Sequence, residues 1–191
     1  MPNPTDQILA FLQQIGLPIA RAELQAPTFL PGIAIRRGVL TADESKLLYP
    51  GDLLHEAGHL AVMIPEERTR CDGDAGPDAG AEMAAIAWSY AAALHLGLPP
   101  EIVFHPNGYR SGAASILENF SQGHYFGVPL LQCYGLTTDP SGRFQETQST
   151  PKCPPGSEPD YLPPQVAPRT PCPPFAFASA SVIYDPSFVF P

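Results

Sequence analysis

The residues best suited to chemistry are His55, Glu56 and His59, in the run Leu53-Leu54-His55-Glu56-Ala57-Gly58-His59-Leu60-Ala61-Val62-Met63. On a helix, His55 and His59 lie one turn apart on the same face. Two imidazoles so placed can hold one Zn2+ at about 2.0–2.1 Å each. Glu56, beside the first, can then reach a metal-bound water as general base. The chain has five His and ten Glu among 191 residues, and shuffling it gives H-E-x-x-H roughly once in 200 trials. The motif alone therefore does not establish a site, and a third ligand decides the question.

An open catalytic zinc takes three protein ligands and one water. The metzincin pattern needs a His six residues beyond His59, and Pro65 stands there. The remaining common option is a Glu on the following helix. Glu82 opens the next helical segment, which is Ala-rich and apolar. A favourable helix N-terminus explains a carboxylate there by only about 0.3–1 kcal/mol. Metal ligation is the stronger reason for it.

H-E-x-x-H followed by Glu on the next helix resembles the gluzincin, or thermolysin-like, arrangement. His55-Glu56-Ala57-Gly58-His59-Leu60, then Glu82-x-x-Ala85-x-x-Trp88 with Ala91, Ala92 and Leu94, is similar to the small ImmA/IrrE-type metallopeptidase domains. The likeness spans about Ile33 to Leu98, with Trp88 and Ser89 where that family usually has Phe and Ala. It implies zinc held by His55, His59 and Glu82, with Glu56 as the base that activates water against a peptide carbonyl. It further implies a Tyr or His that stabilises the oxyanion. His124 and Tyr125, in Gly123-His124-Tyr125-Phe126-Gly127, are the first candidates, and His105 and Tyr109 the second. A loop or core role for His124 weighs against the first pair. A sheet edge is expected to receive the peptide, with the Ile33–Asp43 segment as candidate. The chain carries no recognisable helix-turn-helix partner, so the family's regulatory role is not expected.

The elements that must position these residues follow from pattern. Thr5 to Ile15 reads as an amphipathic helix through Ile8, Phe11, Leu12 and Ile15, capped by Thr5 or Asp6 and stopped by Gly16 and Pro18. Leu17 to Pro31 reads as an irregular connection. Ile33 to Asp43 reads as a hairpin turning at Arg36-Arg37-Gly38. The motif helix is expected from Leu53 to Ile64, with Asp52 as N-cap and Leu54, Ala57, Ala61 and Ile64 against the core. Glu66 to Gly80 reads as a polar, solvated loop. Asp72-Gly73-Asp74 does not continue as a calcium loop, because Pro77 and Met83 occupy the sixth and twelfth positions. Helices are expected over Glu82–Leu96, with His95 structural, over Ser111–Gln122 capped at Ser111, and over Gly127–Tyr134.

Composition narrows the class. The formal charge is −9 with ten Lys and Arg, which argues against nucleic acid or an anionic membrane surface as main partner. The longest apolar stretch, Ala81 to Leu98, is Ala-rich and holds Glu82, Ser89, Tyr90 and His95, so it reads as a buried helix rather than a membrane span. No signal peptide pattern follows Met1, and Cys71, Cys133, Cys153 and Cys172 form no C-x-x-C. A cytoplasmic protein with reduced thiols is therefore expected.

Twelve of the forty-one residues from Pro151 to Pro191 are proline, and helical or alternating patterns are lost after Thr138. Such a stretch does not readily form its own core. It reads as a disordered tail, an extended arm or a shifted reading frame. The expectation is an α+β, zincin-like domain over residues 1–137, mostly helical with a small antiparallel or mixed sheet before the motif helix, and a Pro-rich segment over 138–191. It should bind one Zn2+ and act on a peptide or protein substrate. The competing expectations are a zinc-binding module without peptidase activity and a metal-free helical domain in which H-E-x-x-H is accidental.

Overall fold

A computed structural model describes residues 3–73 and 78–137. Within them the chain is α+β, with six α-helices and one three-stranded mixed sheet. The expected Pro-rich segment, with Cys153 and Cys172, lies outside the described residues. Among the described residues no helix is long and apolar enough to cross a membrane, and Cys71 and Cys133 are free thiols.

The first helix, α1 (Pro4–Gln14), buries Ile8, Leu9, Phe11 and Leu12. Its cap is Asn3, whose side chain accepts from Thr5 N–H at 3.1 Å. The expected caps Thr5 and Asp6 fall inside the helix, because Pro4 fits its first position without needing an N–H partner. Thr5 is buried, and Asp6 instead pairs with Arg21 at 2.8 Å.

The segment expected to be irregular contains β1 (Ile19–Arg21). Three residues are too few for a period to show in the sequence. Strands β2 (Ile33–Arg36) and β3 (Val39–Ala42) form the expected hairpin, and the strand order is β1-β3-β2. β3 pairs parallel with β1 and antiparallel with β2, Leu40 opposing Ile19 on one side and Ile35 on the other. Arg37 and Gly38 turn the hairpin with φ of 48° and 75°, the left-handed backbone that two-residue hairpins require. Gly38 is needed twice over, since a Cβ there would fall 2.3 Å from Arg68 O.

The outer side of β2 is partly bonded already. Ile35 O accepts from Gly73 N at 2.8 Å, and Ile33 N donates to Leu30 O at 3.1 Å. The hairpin therefore offers little of the open edge expected for a peptide.

Helix α2 (Asp52–Val62) carries the motif and is followed by the short α3 (Pro65–Arg68), a turn of helix in the segment read as loop. Asp52 is its first residue rather than its cap. Leu53, Leu54, Ala57 and Leu60 are fully buried, whereas Ile64 lies past the helix end and is 40% exposed. α2 buries more than one stripe because it packs on both the sheet and α4 (Ala79–His95).

Asp78 caps α4, accepting from Gly80 N and Ala81 N at 2.7 and 3.1 Å, so the helix starts three residues before Glu82. From Ala84 to Ser89 every residue is buried. A helix apolar around its whole circumference belongs inside a core. Trp88 packs on Phe11, which also meets the ring of the exposed His95 at 5.4 Å.

Helices α5 (Ala113–Ser121) and α6 (Val128–Cys133) are the last elements among the described residues. Ser111 does not cap α5: Tyr109, Arg110 and Ser111 have φ of 52°, 45° and 72°, a left-handed turn ahead of the helix. Gly127 opens α6 at φ 83°, close enough to α4 that a Cβ would meet Met83 O at 2.1 Å.

Candidate metal centre

Helical spacing brings His55 and His59 to one face of α2, with their rings edge to face at 4.8 Å and their Nε2 atoms 3.2 Å apart. The crossing of α4 over α2 brings Glu82 to the same point. Its Oε2 lies 3.0 Å from His59 Nε2 and its Oε1 lies 3.6 Å from His55 Nε2. Ligands about 2.0–2.1 Å from a tetrahedral ion stand about 3.3–3.4 Å from one another. The three separations bracket that value, and His55, His59 and Glu82 could hold a metal ion.

Burial sharpens the argument. The side chains of His55, His59 and Glu82 are 14%, 8% and 30% exposed. Burial pulls the His55 pKa from 6.5 to about 4, the neighbouring charge of His59 adds to this, and Glu82 opposes it. At neutral pH His55 is therefore uncharged, as a ligand must be. Burial also disfavours an ionised Glu82, but the hydrogen bond from His59 and the charges of His55 and His59 outweigh it, and its pKa is lowered overall. Nδ1 of His55 is buried without a hydrogen-bond partner among the described residues. Its Nε2 faces the Glu82 carboxylate and Nε2 of His59, an arrangement that a shared proton or a cation relieves.

Glu56 is half-buried on α2, next to His55 in sequence. Among the described residues, no hydrogen bond, ion pair or ring contact joins His124 or Tyr125 to His55, His59 or Glu82. His124 is exposed, its backbone N–H bonded to Asn119 O, and the Tyr125 ring packs on Phe120 at 5.9 Å. The second-choice Tyr109 meets the site instead, its ring edge to face with His55 at 5.3 Å and against Phe104 at 5.1 Å.

His105 is buried against Asp52, with Nε2 3.0 Å from Oδ1. Its ring stacks on Tyr49 at 3.8 Å, and Asn107 Nδ2 donates to the Tyr49 hydroxyl at 2.7 Å. Burial raises the Asp52 pKa, while the hydrogen bond and charge of His105 oppose that rise. Sequence reasoning missed this pair. The available signal was that Asp52 lies three residues before His55, on the same helix face.

No family model matches the chain, and no curated protein or solved structure matches it.

Proposed function

We propose that this chain is a zinc-dependent, gluzincin-type peptidase domain acting on peptide or protein substrates. The observation that carries the reading is the convergence of two imidazole nitrogens and one carboxylate from two crossing helices, 3.0 to 3.6 Å apart. Borderline N and O ligands suit zinc, and three protein ligands leave a coordination position for water or substrate. Bound there, zinc supplies Lewis-acid polarisation of the peptide carbonyl and a more acidic water.

The chain's own residues have separate tasks. His55, His59 and Glu82 would hold the ion, the single carboxylate offsetting half of its charge. Glu56 accepts the proton of the attacking water and delivers it to the leaving amine nitrogen. Tyr109 and Phe104 form an aromatic wall on the His55 side, which excludes water there.

A second reading is a zinc-bound interaction or regulatory module. The burial of both imidazoles, 14% and 8% exposed, is what favours it, because it limits access of a peptide to the ion. Zinc-loaded protein incubated with an unstructured protein substrate separates the two readings. The peptidase reading expects cleavage by the wild type and its loss in Glu56→Gln with zinc retained. A zinc-loaded wild type without cleavage favours the module. Unchanged cleavage in Glu56→Gln removes Glu56 from the chemistry.

A further inference from the structure

We propose that the Asp52–His105 pair is a positioning device for the ligand His55, clamping the segment that carries Tyr109 onto the start of the metal-binding helix. The inference rests on the metal-site reading above and adds to it residues outside the ligand set.

The contacts form a closed path. Asp52 and His55 lie one turn apart on α2. From Asp52 the path crosses at 3.0 Å to His105. Phe104, the next residue back along the chain, packs on the Tyr109 ring, and Tyr109 returns to His55 edge to face at 5.3 Å. Two further features hold the segment down. A Cβ at Gly51 would lie 1.9 Å from Ile102 O, so backbone meets backbone where the segment approaches α2. The stacking of His105 on Tyr49 fixes the imidazole plane.

The cost of the arrangement is visible. Asp52 is buried at the helix start, and three consecutive non-glycine residues, Tyr109 to Ser111, have positive φ. Each such residue is unfavourable by roughly 1–2 kcal/mol. A simple helix cap would need neither feature. The gain is a fixed imidazole: His55 meets His59 through Nε2, while its Nδ1 side has no hydrogen-bond partner among the described residues and is held by packing. Groups that orient metal ligands from outside typically change metal affinity by roughly 10–100-fold.

The test compares wild type, Asp52→Ala, Asp52→Asn and His105→Leu by zinc competition against a chromophoric chelator and by the visible spectrum of the Co2+-loaded proteins. The expected result is zinc affinity lowered roughly 10–100-fold, with a shifted Co2+ band, in Asp52→Ala and His105→Leu. Asp52→Asn keeps an oxygen acceptor for His105 and should recover most of the affinity and the wild-type band. His105→Leu fills the same space with apolar atoms and serves if Asp52→Ala does not fold. Folded variants with wild-type affinity and spectrum, or an Asn variant no better than Ala, overturn the positioning role. A lower melting temperature with an unchanged Co2+ band does so too. A wild type that takes up no zinc fails at the earlier step and removes the metal site itself.

Discussion

Gly58 lies against the backbone of Ala85: a Cβ added at Gly58 would fall 2.8 Å from Ala85 O and 3.2 Å from its Cα. Helices α2 and α4 therefore touch main chain to main chain. The contact sits one residue from His59 and one turn from Glu82, and it allows Glu82 Oε2 to reach within 3.0 Å of His59 Nε2. The small residues at the crossing and the ligands beside it form one device.

Gly58→Ala tests that device by its sign. In an open helix interior, replacing Gly by Ala stabilises by roughly 0.5–1 kcal/mol. At Gly58 the added methyl must push the helices apart, and overpacking of this kind costs about 1–3 kcal/mol. The expected outcome is a lower urea midpoint, followed through the fluorescence of the sole tryptophan, Trp88, together with weaker zinc retention. A more stable variant would show that the helices have room to spare.

Protonation sets the pH response of the metal-free protein. The folded pKa of His55 is near 4 against 6.5 for an unperturbed imidazole. Between those values the unfolded chain binds the extra proton, so stability is lost as pH falls through that window. Glu82, with its pKa lowered from 4.5, contributes stability that is present above its unfolded value and is lost as pH falls through the folded one. Urea unfolding of metal-free protein from pH 7 down to about 4 should show a steady loss of stability. His55→Gln should flatten the upper part of that decline.

Asp43, the residue after β3, is a second acid-sensitive point. It accepts from Ser45 Oγ at 2.6 Å and Leu24 N–H at 2.9 Å, and pairs with Lys46 at 3.0 Å. These contacts hold its carboxyl well below the ordinary carboxylate range, against the opposing effect of burial. Asp43→Asn should be less stable than wild type at neutral pH. The difference should persist above the unfolded value of 3.8 and shrink as pH falls through the folded value. A constant difference across that range would place the effect in packing rather than charge.

Local pattern carried the three residues that converge at the cluster. His55 and His59 are related by one helical turn, and Glu82 belongs to a segment whose composition already demanded burial. The hairpin was legible because Arg36-Arg37-Gly38 separates two strand-like runs, although Arg36 itself ends β2, paired with Val39, and α1 because four apolar residues share one face. Long-range contacts left weaker traces. β1 has only three residues and is a strand because β3 lies beside it. Asp52 looked like a cap because nothing in its neighbourhood announces His105. Tyr109 reaches His55 through a left-handed turn that no residue type in Tyr109-Arg110-Ser111 favours. Gly58 and Ala85 were visible as small residues, but their meaning appears only when the two helices cross.

Metal content tests the central claim most directly. Wild type, His55→Ala and Glu82→Ala would be exposed to zinc, desalted without chelator and analysed for zinc per chain beside a circular dichroism spectrum. The account predicts about one zinc per wild-type chain, with far less retained by both folded variants. A wild type that retains no zinc, or a Glu82→Ala variant that retains as much as wild type, would contradict it.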